Sequence, residues 1–407
     1  LLAMVVSAAL VATPPARADA GDGRSWLVAA QNADGGFPAT PGQPSSAAMT
    51  TWAMLGLEAA GVNPLDVTEG GKSPVDYLRR SRITSATDLE RTIIALEGAG
   101  LNTRSFEGRD LVAQLRSRRS GDGSWDGQVN ITAFGILALR AAGQGDVARS
   151  AAWLRNAQNS NGGWGFAPGR GSEADSTGAA MQALGVAGGS ASALSDGARY
   201  LAQTQKGDGG WTLAGGAVNS QSTAWAIQGL VAAHGSGSAI SKGVSYLGKR
   251  QASNGSYSYS AASSQTPVWV TAQALTGVTR KAFPLAVVAR APARSGGPDG
   301  DGPGNGADGG MGGPGSPGAS ASSKNGGDKE GEDRGSGEDE RDARGDETAD
   351  GASVADVAAD GPGTVDAEQA AAGDAQGLTD AAKIGIGGGV LAVLVAGGVV
   401  YYRRALA

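Results

Sequence analysis

Carboxylates, an arginine and aromatic rings recur at matched places along this chain, and they are the groups with which it could do chemistry. Glu173-Ala174-Asp175-Ser176-Thr177-Gly178-Ala179 sets two acids ahead of an alanine-rich run, and Asp88, Glu90 and Arg91 open a comparable one. Paired carboxylates can divide general-acid and general-base work, and Arg91 could hold an acidic group. Trp52, Phe134 and Trp225 add an aromatic wall of the kind that lines ligand pockets. The chain has no cysteine and one histidine, His234. Thiolate metal sites, catalytic thiols and disulfides are therefore excluded. His234 stands before Gly235 at a helix end, where it reads as a C-terminal cap rather than a ligand or base. No motif calls for a metal or a cofactor.

What positions these residues is a repeat. Gln, two free positions, Asp or Asn, Gly, a small residue and an aromatic recur as Gln31 to Phe37, Gln158 to Trp164, Gln205 to Trp211 and Gln251 to Tyr257. A fifth copy, Asp122-Gly123-Ser124-Trp125, has Arg119 where the Gln belongs. The aromatics step by 88, 39, 47 and 46 residues, so the first step hides one more unit, opened by Ser73-Pro74. Each unit reads as an outer helix, an Asx-Gly turn and an inner helix. Asp146 suits the N-cap of one outer helix. The inner helices end on Ala and Gly, as in Leu139-Arg140-Ala141-Ala142-Gly143. They are poor in charge, as helices packed on all sides must be. Six hairpins between about residues 23 and 283 give an all-α array without distinct polar caps, which favours a closed ring.

Aligned on their Ala-Leu or Gly-Leu ends, the inner helices bring Ala48, Thr87, Asn130, Asp175, Gln221 and Thr266 to one level near their N-termini. Asp88 and Ser222 follow one position later. One turn deeper come Trp52, Arg91, Phe134, Ala179, Trp225 and Val270, and deeper still Gln182, Gln228 and Gln273. The candidate binding residues are thus Trp52, Asp88, Arg91, Asn130, Phe134, Asp175, Gln221 and Trp225. Each also has a structural reading, with Asp, Ser and Thr as helix caps and the tryptophans as packing between hairpins.

The Gln-x-x-Asp-Gly-x-Trp sentence resembles the QW-type repeat of the prenyltransferase/squalene oxidase family, over roughly residues 23–283. That resemblance implies an α6/α6 toroid with a central cavity. The family's protein prenyltransferases hold zinc with Asp, Cys and His, which this chain cannot supply. Its class II terpene cyclases protonate an alkene with the middle acid of Asp-x-Asp-Asp-Thr-Ala. Here that acid is matched by Asp175, while Glu173 and Ser176 replace its neighbours. Aromatic residues are only 5% of the chain, thin for guiding carbocations. Asp175 to Met181 and Ser220 to Trp225 are also similar to inner-helix starts of the transcobalamin/intrinsic factor group, which captures corrinoids in the same toroid.

The flanks read differently. Residues 1–20 resemble an export signal, with small-x-small cleavage points at Ala16-Arg17-Ala18 and Ala18-Asp19-Ala20. Residues 291–383 form an acidic Gly-rich segment with too few apolar residues to fold. Ile384 to Tyr402 carries no charge and is followed by Arg403-Arg404, as expected of one transmembrane helix with a cytoplasmic tail at 403–407. Residues 21–290 would then form the toroid outside the cell. Residues 1–290 carry a net charge of only +5, which makes no case for nucleic acid.

These features favour a membrane-anchored, non-catalytic toroid that captures a small hydrophobic or corrinoid-like ligand for a membrane importer. A second reading is a terpene cyclase-like enzyme centred on Asp175. A third is a module that binds wall polymer or protein.

Overall fold

Each glycine turn joins an outer helix to an inner one, as the repeat predicts. The computed structural model describes residues 18–188, 191–292, 390–395 and 398–403. Its outer helices are α1 (Ala20–Ala29), α3 (Pro74–Arg80), α5 (Leu111–Ser117), α7 (Ala148–Asn156), α9 (Ala191–Thr204) and α11 (Gly237–Gly248). Its inner helices are α2 (Ala47–Ala59), α4 (Ala86–Gly98), α6 (Val129–Ala141), α8 (Ala174–Ala187), α10 (Ser220–Ala232) and α12 (Pro267–Val278). Each inner helix packs on the next, and α12 packs on α2, so the hairpins close into an α/α toroid. The seam is sealed by Gln251, whose amide exchanges two 2.8 Å hydrogen bonds with the backbone of Asp19.

The inner helices are buried on nearly every side. In α2 every residue from Thr50 to Ala59 is buried, whereas α7 buries only Ser150, Ala151 and Leu154. Glycine allows the closest approaches. A Cβ on Gly229 would lie 2.7 Å from Cα of Gly178, so α8 and α10 touch backbone to backbone.

The repeated motif is a joint between three helices. In the Trp164 copy, Gln158 Nε2 donates to Gly162 O at 2.8 Å and to Ala193 O of the next outer helix at 2.9 Å. Trp164 Nε1 donates to Leu154 O of its own outer helix at 2.7 Å, and its backbone N–H donates to Thr177 Oγ1 of α8 at 2.9 Å. Where Arg119 replaces Gln, its guanidinium reaches the carbonyl of Asp146 at 2.6 Å and its carboxylate at 3.1 Å. Asp146 is consequently not the cap expected for α7. It is held by Arg116 and Arg119, and α7 starts after Val147 without a side-chain cap. Ser73 does cap α3, in a reciprocal box with Asp76.

Thr50, Thr132, Thr177, Thr223 and Thr271 accept the backbone N–H of the five motif aromatics. Their register matches the Ala-Leu alignment in α2, α6, α8 and α10. In α12 it differs by three residues and puts Trp269, not Thr266, level with Asp175. Thr266 instead precedes α12 with left-handed backbone, φ 41°.

Residues 1–17 and the acidic segment from 293 onward lie outside the described residues. Ala18 to Ala20, placed at the end of the export signal by sequence, are described. There Asp19 caps α1, accepting from the N–H groups of Gly21 and Asp22. Of residues 384–402, expected as a spanning helix, the described ones belong to two antiparallel strands, Val390–Val395 and Gly398–Arg403. No helix among the described residues is long and apolar enough to cross a membrane.

Candidate active site

Three alternate inner helices send an aromatic ring to the axis. Trp52 of α2 lies 6.0 Å, centroid to centroid, from both Phe134 of α6 and Trp225 of α10, and Phe134 and Trp225 are 5.5 Å apart. All three contacts are edge-on, an arrangement favoured by the ring quadrupole. The triangle is buried and closes the axis at that level. Trp269 of α12 stacks on Trp52 at 6.1 Å from one side, and Phe283, beyond α12, meets Phe134 at 6.1 Å. Five aromatic rings thus share one site, although aromatics are sparse in the chain as a whole. Composition alone hid that concentration.

On α4, Arg91 is buried. Its guanidinium carbon lies 5.8 Å from the Trp52 ring centre, and Nη2 pairs with Asp88 Oδ1 at 3.1 Å. Asp88 also accepts from the Ser85 hydroxyl at 2.8 Å. This pair neutralises itself within one helical turn, so Arg91 belongs to the aromatic wall rather than to an open anion site. Glu90, on the same helix, is buried.

Asp175 sits one turn before Ala179, at the first turn of α8. Its Oδ1 is shielded from solvent and has no hydrogen-bond partner. Burial pushes its carboxyl up to about 7, and the charge of Glu173 adds to the shift. The Ser222 hydroxyl and the backbone N–H of Asp175 pull the other way. Glu173 accepts from Ser176 Oγ at 2.6 Å, and burial raises its own pKa. The two residues that replace the family's flanking acids therefore bond each other. Tyr259 stands close enough for Asp175 to raise its phenol further, after burial. Its carbonyl accepts from Ser220 N–H at 2.7 Å, which seats the Tyr259 loop on the start of α10.

The site has one open end. Ala48, Asn130, Asp175, Gln221 and Trp269 are partly exposed at the N-terminal mouth, while the rings one turn deeper are buried. Asn130 Oδ1, like Asp175 Oδ1, is buried without a partner. All eight residues singled out by sequence lie on the first halves of inner helices. Trp52, Phe134, Trp225 and Arg91 meet at the axis. Asn130, Asp175 and Gln221 rim the mouth, and Asp88 is drawn into its ion pair. Sequence reasoning missed Trp269, because α12 was aligned three residues out of register, and Phe283 and Tyr259, because neither lies on an inner helix. The sequence offers no simple correction, because Thr266 follows Tyr257 before Thr271, the residue that binds its N–H.

Six helical hairpins closed around one axis make an α/α toroid. The chain belongs to the prenyltransferase alpha-alpha toroid domain family, matched over residues 4–212 and 128–267. It is 31% identical over 203 residues to drimenyl diphosphate synthase of Streptantibioticus cattleyicolor, covering 46% of this chain and 30% of that relative. The chain therefore spans about a third of the length of the curated relative it matches. Among solved structures it is similar to a protein from Actinoplanes, with 18% identity, a TM-score of 0.51 and coverage of 64% of this chain and 98% of that one. It is also similar to a variant of the type II terpene cyclase MstE from Scytonema in complex with geranylgeranyl dihydroxybenzoate. There the identity is 13%, the TM-score 0.50, and coverage 64% of this chain and 95% of that one.

The reading as a non-catalytic, corrinoid-capturing toroid is overturned. The matched curated relative is an enzyme, a drimenyl diphosphate synthase, and the fold is shared with a type II terpene cyclase.

Proposed function

We propose that this protein is a terpene cyclase-like enzyme of the protonation-initiated kind, with Asp175 as the acid. The observation that carries the proposal is the Asp175 carboxyl, buried and short of one hydrogen bond, one turn above a cage of aromatic rings. The substrate class is a linear isoprenoid chain bearing trisubstituted alkenes. Its apolar body fits the aromatic wall, and the relatives named above support the choice.

In the reaction, the Asp175 O–H bond breaks and its proton forms a C–H bond at one alkene carbon. The alkene's electron pair makes that bond and leaves a tertiary cation on the neighbouring carbon. A second alkene attacks the cation and closes a ring. Loss of a proton from the last cation to water at the mouth restores neutrality. Trp52, Phe134, Trp225 and Trp269 are the rings whose π faces can stabilise the migrating charge. Burial keeps the proton on Asp175 below about pH 7, and the Ser222 hydroxyl and the backbone N–H stabilise the carboxylate that remains. Partial exposure at the mouth gives a path for reprotonation from solvent.

Incubation of the full chain with farnesyl and geranylgeranyl diphosphate in D2O, followed by mass spectrometry, tests this. A cyclic product carrying one deuterium is expected from wild type and is expected to vanish in Asp175→Asn. Equal turnover by the variant would remove Asp175 from the role.

A further inference from the structure

Two small-x-small triplets overlap where the expected export signal meets the toroid. Ala16-Arg17-Ala18 would direct a cut before Asp19, and Ala18-Asp19-Ala20 a cut before Gly21. The two mature chains would differ by Asp19 and Ala20 alone, and Asp19 is built into the closure of the ring.

The motif glutamines give the reason. Gln31 Nε2 donates to Lys72 O at 3.3 Å, Gln158 Nε2 to Ala193 O at 2.9 Å and Gln205 Nε2 to Ala239 O at 2.9 Å. Each bond fastens a glycine turn to the chain at or beside the start of the next outer helix. For the last unit the next outer helix is α1, and the carbonyl that Gln251 Nε2 reaches is that of Asp19, at 2.8 Å. Gln251 Oε1 also accepts the N–H of Asp19 at 2.8 Å. The same carbonyl accepts the N–H of Gly23 at 3.2 Å and the hydroxyl of Tyr257 at 3.4 Å. The Asp19 carboxylate caps α1, through Gly21 N–H at 2.7 Å and Asp22 N–H at 3.1 Å. A chain that began at Gly21 would lose all of these bonds.

We propose that the protein is cut between Ala18 and Asp19 on export, so that Asp19 is the first residue of the mature chain. An export-signal peptidase directs water onto that peptide bond. The C–N bond breaks, the water's hydroxyl joins the Ala18 carbonyl carbon, and its hydrogen goes to the Asp19 nitrogen, which takes a further proton from solvent. The resulting ammonium still donates to Gln251 Oε1, now in a charge-assisted bond. Its positive charge opposes the dipole of α1, and the carboxylates of Asp19 and Asp22 offset it. A cut after Ala20 would leave α1 uncapped, with an ammonium on Gly21 and no Asp19 for Gln251 and Tyr257 to bind. Neither Asp175 nor the aromatic rings enter this proposal, which stands apart from the cyclisation reading.

The native protein, taken from the cells that make it, provides the test. Its amino groups are dimethylated, trypsin is added, and the N-terminal peptide is read by mass spectrometry. Trypsin cuts after Arg17 and Arg24 and cannot itself create an end at Asp19 or Gly21. A labelled peptide from Asp19 to Arg24 is expected. A labelled end at Gly21 or elsewhere, or the unlabelled Ala18 to Arg24 peptide of an uncut chain, overturns the proposal. Deletion of Asp19 and Ala20 from the gene keeps Ala16-Arg17-Ala18 and starts the mature chain at Gly21. That protein is expected to melt at least about 3 °C below wild type, and an unchanged melting temperature overturns the role given to Asp19. The peptide reading needs no variant and decides the case if the deletion product does not fold. Neither readout depends on turnover, so each is separate from the fate of the cyclisation reading.

Discussion

Gln182 Oε1 accepts the backbone N–H of Phe283 at 2.8 Å, 101 residues along the chain, inside the ring. The bond ties an inner helix to a segment beyond the last repeat and leaves no buried donor unpaired at that point. Gln182→Ala would orphan the Phe283 N–H, with an expected loss of about 1–3 kcal/mol. Urea unfolding checks this; a loss under about 0.5 kcal/mol would mean that this segment is held elsewhere.

The approach of α8 to α10 is set by glycine. A Cβ at Gly178 would collide with the carbonyl oxygen of Trp225, which is backbone and cannot swing aside. Gly178→Ala is therefore expected to cost about 1–3 kcal/mol and to separate Ser222 from Asp175, lowering turnover as well. Gly121→Ala, at a site with nothing within 4 Å, is the matched control and should leave both unchanged.

The role proposed for Asp175 requires its proton. With the carboxyl at about 7, the rate should be flat below that pH and fall roughly tenfold per unit above it. Ser222 stabilises the carboxylate, so Ser222→Ala should move the fall to higher pH and lower the plateau rate. A pH-rate profile separates these two effects, and a purely structural Ser222 would leave the position of the fall unchanged.

Glu58 carries a different pH signature. It is buried on α2, neither carboxylate oxygen has a partner, and desolvation raises its pKa well above the ordinary range. In the unfolded chain it ionises near pH ~4.3. The folded state binds more protons above that pH, so stability falls as pH rises toward the folded pKa. Glu58→Gln should flatten this slope and stabilise the protein at pH 7 relative to wild type. Thermal melts of both proteins from pH 4 to pH 8 measure it, and parallel curves would exclude the effect.

The architecture was legible in the chain because it is local. Each Asx-Gly turn, each Ser or Asp cap and each Ala-rich helix is specified within about forty residues, and repetition multiplies the signal. Asp175, Trp52, Phe134 and Trp225 could be placed on inner helices for the same reason. Periodicity assigns a side chain to a level of the ring. It does not say what stands across the axis, and contacts between α2, α6 and α10 decided that the aromatics meet. The register of α12 was fixed by Thr271 binding the N–H of Tyr257, a bond between elements that no spacing rule counts. Phe283 lies beyond the last repeat, so its place in the core depended on where Gln182 and Gln228 project once the ring has closed. The raised pKa of Asp175 was likewise invisible, because desolvation belongs to the packed molecule and not to the order of its residues.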